Sequence, residues 1–262
     1  MPSSLSESDH KESTMQVSII GSGNVAHVFG LRLKERGCTI REVVGRTIED
    51  VDELGRSLAA RTEKDMSKLD GESDIYLLAV NDDAIKEVAA QLPPTQALVA
   101  HCSGSTPLQS IPHGKRAVLW PLQSIHEGAA YRWEDMNIVL ESDTDLGTVE
   151  AINLIDNLGA KSVQMDKESR SRAHLVAVIL NNFGNHLLHM ADVLCSEKGM
   201  DRRLFQDLML YTLSVEGQAK DHQTGPAIRG DDRIIQKHLK ELEGHPTFHS
   251  IYESMSKSIS QS

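Results

Sequence analysis

The sequence predicts an α/β protein of two domains: a doubly wound, mostly parallel sheet over residues 15–166, then an all-helical domain over residues 167–262. Three observations predict it. Short, β-branched-rich runs alternate with helix-like stretches as far as Asp166, the pattern of a parallel sheet covered on both faces. No convincing strand follows Lys167. Two glycines, Gly21 and Gly23, stand where the first strand must hand over to the first helix.

The elements follow in order. The stretch "MPSSLSESDHKEST" (1–14) is polar, lacks the apolar middle of a secretory signal and has nothing to bury, so it is expected to be a disordered tail. Strands are expected at "QVSII" (16–20), "TIREVVG" (39–45), "DIYLLAV" (74–80), "ALVAHCS" (97–103), "RAVLWPL" (116–122), "NIVLES" (137–142) and "KSVQM" (161–165). Helices are expected at Val25–Arg36, Ile48–Ala60 and Asp82–Leu92, the last stopped by Pro93 and Pro94, and through "DLGTVEAINLIDNLG". Beyond Asp166, helical patterns cover Glu168–Lys198, Arg202–Lys220, Asp232–Leu242 and Thr247–Ser258.

Composition excludes several function classes. In 262 residues, 39 % of them hydrophobic, no run reaches the roughly 18–20 apolar residues of a membrane span. A net charge of −11 with 4 % aromatics is the opposite of a basic, ring-bearing nucleic-acid face. Cys38, Cys102 and Cys195 are far apart and form no CxxC pair, so neither a disulfide framework nor a zinc or other metal site is expected. That usage fits a reducing, cytoplasmic setting.

Gly21, Gly23 and Ala26 spell G-x-G-x-x-A between a strand and a helix, with a second strand ending about 25 residues on. Gly21 permits the tight turn, Gly23 lets backbone approach a pyrophosphate, and Ala26 lets helix and sheet pack closely. Ser22 lies within the turn, and the N–H groups of Asn24 and Val25 then face an anion at a helix N-terminus. The plain alternative is a β–α turn with no ligand. At the end of the second strand, where NAD binders carry an acid for the ribose 2′-hydroxyl, stand Arg46 and Thr47. A guanidinium pairs with a 2′-phosphate, and one charge-assisted hydrogen bond contributes roughly 1.5–3 kcal/mol, so NADP(H) is the expected cofactor. A solvated surface arginine is the alternative. Val80, Asn81 and Asp82 end a further strand, with Asp82 a possible helix cap. "HCSGSTPL" places Ser103 and Ser105 at another strand end, either as ligands of a nicotinamide amide or substrate, or as turn formers.

In the helical half, Ala173–Leu180 is apolar almost all round and is expected to be buried on nearly every face. His174 interrupts it, and on an ideal wheel Asn181 and Asn185 fall within roughly 20° of His174. This polar line either faces a ligand or is satisfied inside the core, and Asp192 is expected on a solvated edge. In "TGPAIRGDDRIIQKHL", Gly225-Pro226 stops a helix and Asp231 or Asp232 caps the next. Arg229, in the loop between, is free to reach an anion.

Together "IIGSGNVAHVFG", "DIYLLAVNDDAI", "HCSGSTPL", "WPLQSI", "AHLVAVILNNF" and "TGPAIRGDDRIIQKHL" resemble a two-domain Rossmann-like family whose helical C-terminal half is a domain of unknown function. Its members are commonly described as NADP oxidoreductases. More distantly, the layout is similar to 6-phosphogluconate dehydrogenase, pyrroline-5-carboxylate reductase and deazaflavin-dependent NADP reductases. The resemblance implies an active site in an interdomain cleft and a homodimer formed through the helical domain. Hydroxyacid dehydrogenases of that layout place a catalytic lysine four residues before an asparagine on the long helix. Here Ala177 precedes Asn181 and Val178 precedes Asn182, so that acid/base is missing.

The expectation is therefore an NADP(H)-dependent oxidoreductase of a small polar substrate. His174 is the expected proton donor or acceptor, Asn181 an orienting group and Arg229 the partner of a substrate anion. A non-catalytic NADP(H)-binding sensor or assembly protein is the alternative, and a fold with no nucleotide a third.

Overall fold

The computed structural model describes residues 14–261; all but Thr14 of the expected tail lies outside them. The first half builds β1 (Gln16–Ile20), α1 (Asn24–Glu35), β2 (Thr39–Val44), α2 (Ile48–Leu58), β3 (Arg61–Glu63), β4 (Ile75–Leu78), α3 (Ile85–Ala90), β5 (Leu98–His101) and β6 (Lys115–Pro121). It continues with β7 (Asn137–Ser142), α4 (Asp145–Leu158), β8 (Lys161–Gln164) and α5 (Lys167–Ala177). The eight strands form one sheet in the order β3-β2-β1-β4-β5-β6-β7-β8. Every pairing is parallel except that of β6 with β7. From β1 the chain works outward to β3, then returns to β4 on the other side, so the direction of winding reverses between β1 and β4.

Strand periodicity divides the core into two layers. Val17 and Ile19 join Phe29 and Leu33 of α1, Leu54 of α2, and Leu154 and Leu158 of α4. Ile20, Tyr76, Leu78 and Val99 pack on the opposite face against Ile85 and Ala89 of α3 and against Ile111. Polar groups also enter this second layer, among them the buried Tyr76 hydroxyl, which has no hydrogen-bond partner among the described residues. The Ser18 and Ser73 hydroxyls are 2.7 Å apart, and the buried Glu42 accepts from Arg61. Arg41 pairs with Asp70 and Glu72, which fastens the segment after β3 back to the sheet.

Strand β3, three residues long, is absent from the sequence expectation because so short a run, "RTE", carries no periodicity. It stands on one edge of the sheet, and the four-residue β8 stands on the other. Helix starts follow cap chemistry. The Thr144 side chain accepts from the Gly147 N–H, Asp166 from Ser169, and Asp231, rather than Asp232, from Ile234. Cys38, Cys102 and Cys195 are unpaired.

The chain divides into two compact units, Met1–Val178 and Ile179–Ser262. Strand content ends where the sequence places it, but α5 packs on the sheet domain and the first unit runs on past residue 166. The second unit is helical: α6 (Gly184–Ser196), α7 (Gln206–Ser214), α8 (Asp232–Glu241) and α9 (Pro246–Ser260). The helix expected over Arg202–Lys220 is shorter, a 3₁₀ turn at Arg202–Phe205 leading into α7. Phe248 of α9 meets the rings of His186, His189 and His245, and His238 bonds Tyr252 at 2.8 Å between α8 and α9. No helix among the described residues is long and apolar enough to cross a membrane.

One expectation is reversed. The apolar run around residues 175–180 is not buried in the single chain: Leu175, Val176 and Ile179 are each nearly half exposed, and Leu180 is 72 % exposed. Further along the helical unit, Leu204 is 74 % and Leu213 77 % exposed.

Candidate active site

The first turn of the fold is built as its glycines require. Gly21 has φ +121°, and a Cβ there would lie 2.1 Å from the Ala79 carbonyl oxygen. Only glycine allows β1 to turn so close to the end of β4. Gly23 is the opposite case: a Cβ on it meets nothing within 4 Å. Gly23 is also the N-cap of α1, in extended conformation with no side-chain cap and no acid in the first turn. The helix thus presents uncapped amides and a positive dipole end at a place where backbone has open space before it.

That space is a cleft of about 510 Å³. Of the residues expected to hold a cofactor, Gly21, Ser22 and Gly23 line it, with Arg46 and Thr47 from the end of β2. Val80 and Asn81 line it from the end of β4. Asn24, Val25 and Ser103 are not among its walls. Asn24 accepts from the Glu127 N–H at 3.2 Å, tying the start of α1 to the segment after β6, and Val25 packs on the core. Glu127 also meets His27 at 3.0 Å.

Lys64 lines the same cleft and was not singled out by the sequence. The Gly45 N–H donates to the Glu63 carbonyl at 3.2 Å, so Arg46 and Lys64 leave adjacent strand ends side by side. Arg41, Arg61 and Lys68 nearby are each paired with a carboxylate. Arg46 and Lys64 have no side-chain partner among the described residues, although Asp50 and Glu87 also border the cleft. The signal in sequence would have been a second cation one residue beyond a strand, but that strand is the one too short to see.

The end of β5 is tightly organised. Ser103 is buried, and its Oγ accepts from the N–H groups of Ser105 (3.2 Å) and Thr106 (2.9 Å), closing a turn. The Ser105 hydroxyl donates to Asp82 at 2.6 Å, so Asp82 ties this turn to the end of β4 rather than capping a helix. His101 is fully buried and Nδ1 accepts from the Ser103 N–H at 3.2 Å. Burial first, then the Arg170 charge, lowers its imidazole to about 4. Burial pushes the Cys102 thiol up to about 12, which removes it as a nucleophile.

His174 stands on α5, half-buried, with its ring tilted against Trp120 at a centroid distance of 5.4 Å. Its nitrogens bond no protein group among the described residues. Asn181 lies in a π-helical stretch, Val178–Phe183, and donates to the Asn182 side chain at 3.4 Å. The i→i+5 pattern of that stretch departs from the ideal wheel on which Asn181 and Asn185 align with His174. Asn185 is exposed, and Asp192, also exposed, pairs with Arg202. Arg229 is exposed in the loop before α8 and free of ion pairs among the described residues.

Residues 16–102 match the family model described as NADP oxidoreductase, coenzyme F420-dependent, and residues 136–259 match the domain of unknown function DUF2520. Among solved structures, a candidate NADP oxidoreductase of Bacteroides fragilis is 25 % identical with a TM-score of 0.85, covering 95 % of this chain and 99 % of its own. A protein from Thermotoga maritima is 22 % identical with a TM-score of 0.69, covering 94 % and 97 %. A pyrroline carboxylate reductase of Plasmodium falciparum, solved with NADP bound, shares the fold at 11 % identity and a TM-score of 0.53, covering 94 % and 97 %. No protein of curated function matches the sequence.

Proposed function

We propose that this chain, which joins an NADP-oxidoreductase domain to the domain of unknown function DUF2520, is an NADP(H)-dependent oxidoreductase of a small polar substrate. The observation that carries the reading is the cleft: the glycine turn that leads into an uncapped helix start lines it together with two cations, Arg46 and Lys64, that have no side-chain partner among the described residues. Gly21, whose own N–H is taken by the Val44 carbonyl, makes the turn, Ser22 and Gly23 hold the diphosphate through backbone N–H groups, and Arg46 and Lys64 take the 2′-phosphate. Thr47, Val80 and Asn81 flank the nucleoside. The bound cofactor supplies hydride chemistry; the chain supplies position and charge.

On the substrate side the reading assigns His174 to proton transfer, Asn181 to orientation and Arg229 to a substrate anion. In support, among the described residues the His174 ring nitrogens bond no protein group and Arg229 makes no ion pair, while Trp120 packs against the His174 ring. A second copy of the chain covers the exposed apolar surface of the helical unit, where Leu, Phe and Met side chains lie open. The unpaired cysteines agree with a cytoplasmic setting.

Calorimetry with NADPH and NADH tests the reading. NADPH is expected to bind at least about tenfold more tightly, and Arg46→Ala with Lys64→Ala to abolish that preference without weakening NADH. No heat with either dinucleotide at millimolar concentration overturns it. The absence of the lysine, with Ala177 and Val178 in its place, favours a second reading, a sensor that binds NADP(H) without turnover. NADPH bound tightly but never oxidised across keto acids, imines and aldehydes selects that one.

A further inference from the structure

We propose that Arg170 is a positioning residue, whose buried guanidinium fixes the loop 102–106 and so shapes the surface that receives the nicotinamide end of the cofactor. The proposal rests on the NADP(H) reading above.

Arg170 is only 2 % exposed, although it sits in the first turn of a helix whose other early residues are solvated. Its Nε donates to Glu141 Oε2 at 2.7 Å, and its Nη1 donates to the Gly104 carbonyl at 2.6 Å. Arg170 therefore joins three elements, α5, the end of β7 and the loop after β5. Four residues on, one helical turn along the same face, is His174. Its ring and that of Trp120 press on the Cα side of Gly104. One loop residue is thus held twice, by its carbonyl and by its missing side chain.

The other side of the same loop is tied to the segment that walls the cofactor cleft, without lining the cleft itself. Ser105 bonds Asp82, which follows Asn81 in the cleft wall, and Ser103 closes the turn between. Arg170 is also the charge that, with burial, keeps His101 neutral at the end of β5. In open α/β sheets ligands gather at the carboxyl ends of strands beside the reversal of winding, and this loop leaves β5 at that end, one strand beyond β4.

Stability alone does not account for the arrangement. A buried ion pair is often replaced by apolar groups at no loss, because desolvation offsets the attraction. What an apolar pair cannot do is grip a backbone carbonyl. The geometry assigns Arg170 to that task, with Glu141 neutralising it.

The experiment titrates NADPH and 2′-phospho-ADP-ribose, which shares every part of the cofactor except nicotinamide, into the full chain. Arg170→Met is expected to keep the fragment's Kd within about twofold and to weaken NADPH by about tenfold or more, with Arg170→Lys recovering part of the loss. The double variant Arg170→Met/Glu141→Leu leaves no unpaired buried charge and guards against misfolding. It should show the same selective loss at an unchanged melting temperature. Equal weakening of both ligands, or of neither, in a folded variant overturns the proposal. Binding of neither ligand by the unaltered protein instead removes the cofactor reading, and this proposal with it.

Discussion

Gly104 and His174 meet so closely that a Cβ built on Gly104 would lie 2.6 Å from His174 Cδ2, and equally 2.6 Å from Cε2 of Trp120. Neither ring can yield without disturbing the other, since they already pack together. Gly104→Ala is expected to destabilise the protein by roughly 1–3 kcal/mol, the usual result of overpacking. It should also shift the Trp120 emission. Unchanged emission and an unchanged denaturation midpoint would show that the rings give way freely.

Gly21 and Gly23 should respond in opposite ways. Gly21→Ala forces a Cβ onto the Ala79 carbonyl in a backbone conformation unsuited to alanine, and is expected to cost several kcal/mol or prevent folding. A Cβ built on Gly23 meets no protein atom within 4 Å, so the melting temperature of Gly23→Val should stay within a few degrees of the parent. It should nevertheless lose NADPH binding by calorimetry. A valine variant that binds NADPH normally would mean that the open space in front of Gly23 is not where the diphosphate lies.

Acid should weaken the first unit through His101. Its folded imidazole titrates at about 4, against roughly 6.5 for free histidine. The unfolded chain therefore binds the proton more readily, and stability rises with pH across that interval. The contribution is complete above about pH 6.5 and is lost as pH falls towards 4, at most about 3 kcal/mol. Urea midpoints at pH 7, 5.5 and 4.5 should fall steadily, and His101→Gln should flatten the trend. A parent protein whose midpoint does not change over this range contradicts the burial of a neutral His101.

Leu213→Glu, on a residue 77 % exposed in the isolated chain, should leave the fold intact and disturb association. Sedimentation is expected to show a dimer for the parent and an increased monomer fraction for the variant. A parent that sediments as a monomer at micromolar concentration would refute the proposed pairing.

Much of this was legible in the sequence, for identifiable reasons. The G-x-G-x-x-A turn announces itself because its small residues stand at fixed spacing between one strand and the next helix, although the contact that demands Gly21 is with Ala79 at the end of β4. Arg46 could be found by counting from that turn. Lys64 could not, since its place beside Arg46 depends on pairing between β2 and β3, the latter only three residues long. Arg170 and Glu141 are 29 residues apart, and an arginine at the start of a helix looks like any solvated cation until the helix is docked. The exposure of residues 175–180 is not legible in the sequence for a different reason. Apolar periodicity registers that a surface avoids water, but not whether the chain itself provides the cover.

The two margins of the sheet are a three-residue and a four-residue strand, each bearing charged side chains: Arg61 and Glu63 on one, Lys161 on the other. Truncated, charged borders offer a poor template for further hydrogen-bonded ladders. Growth into fibres by strand addition is thereby discouraged at both ends.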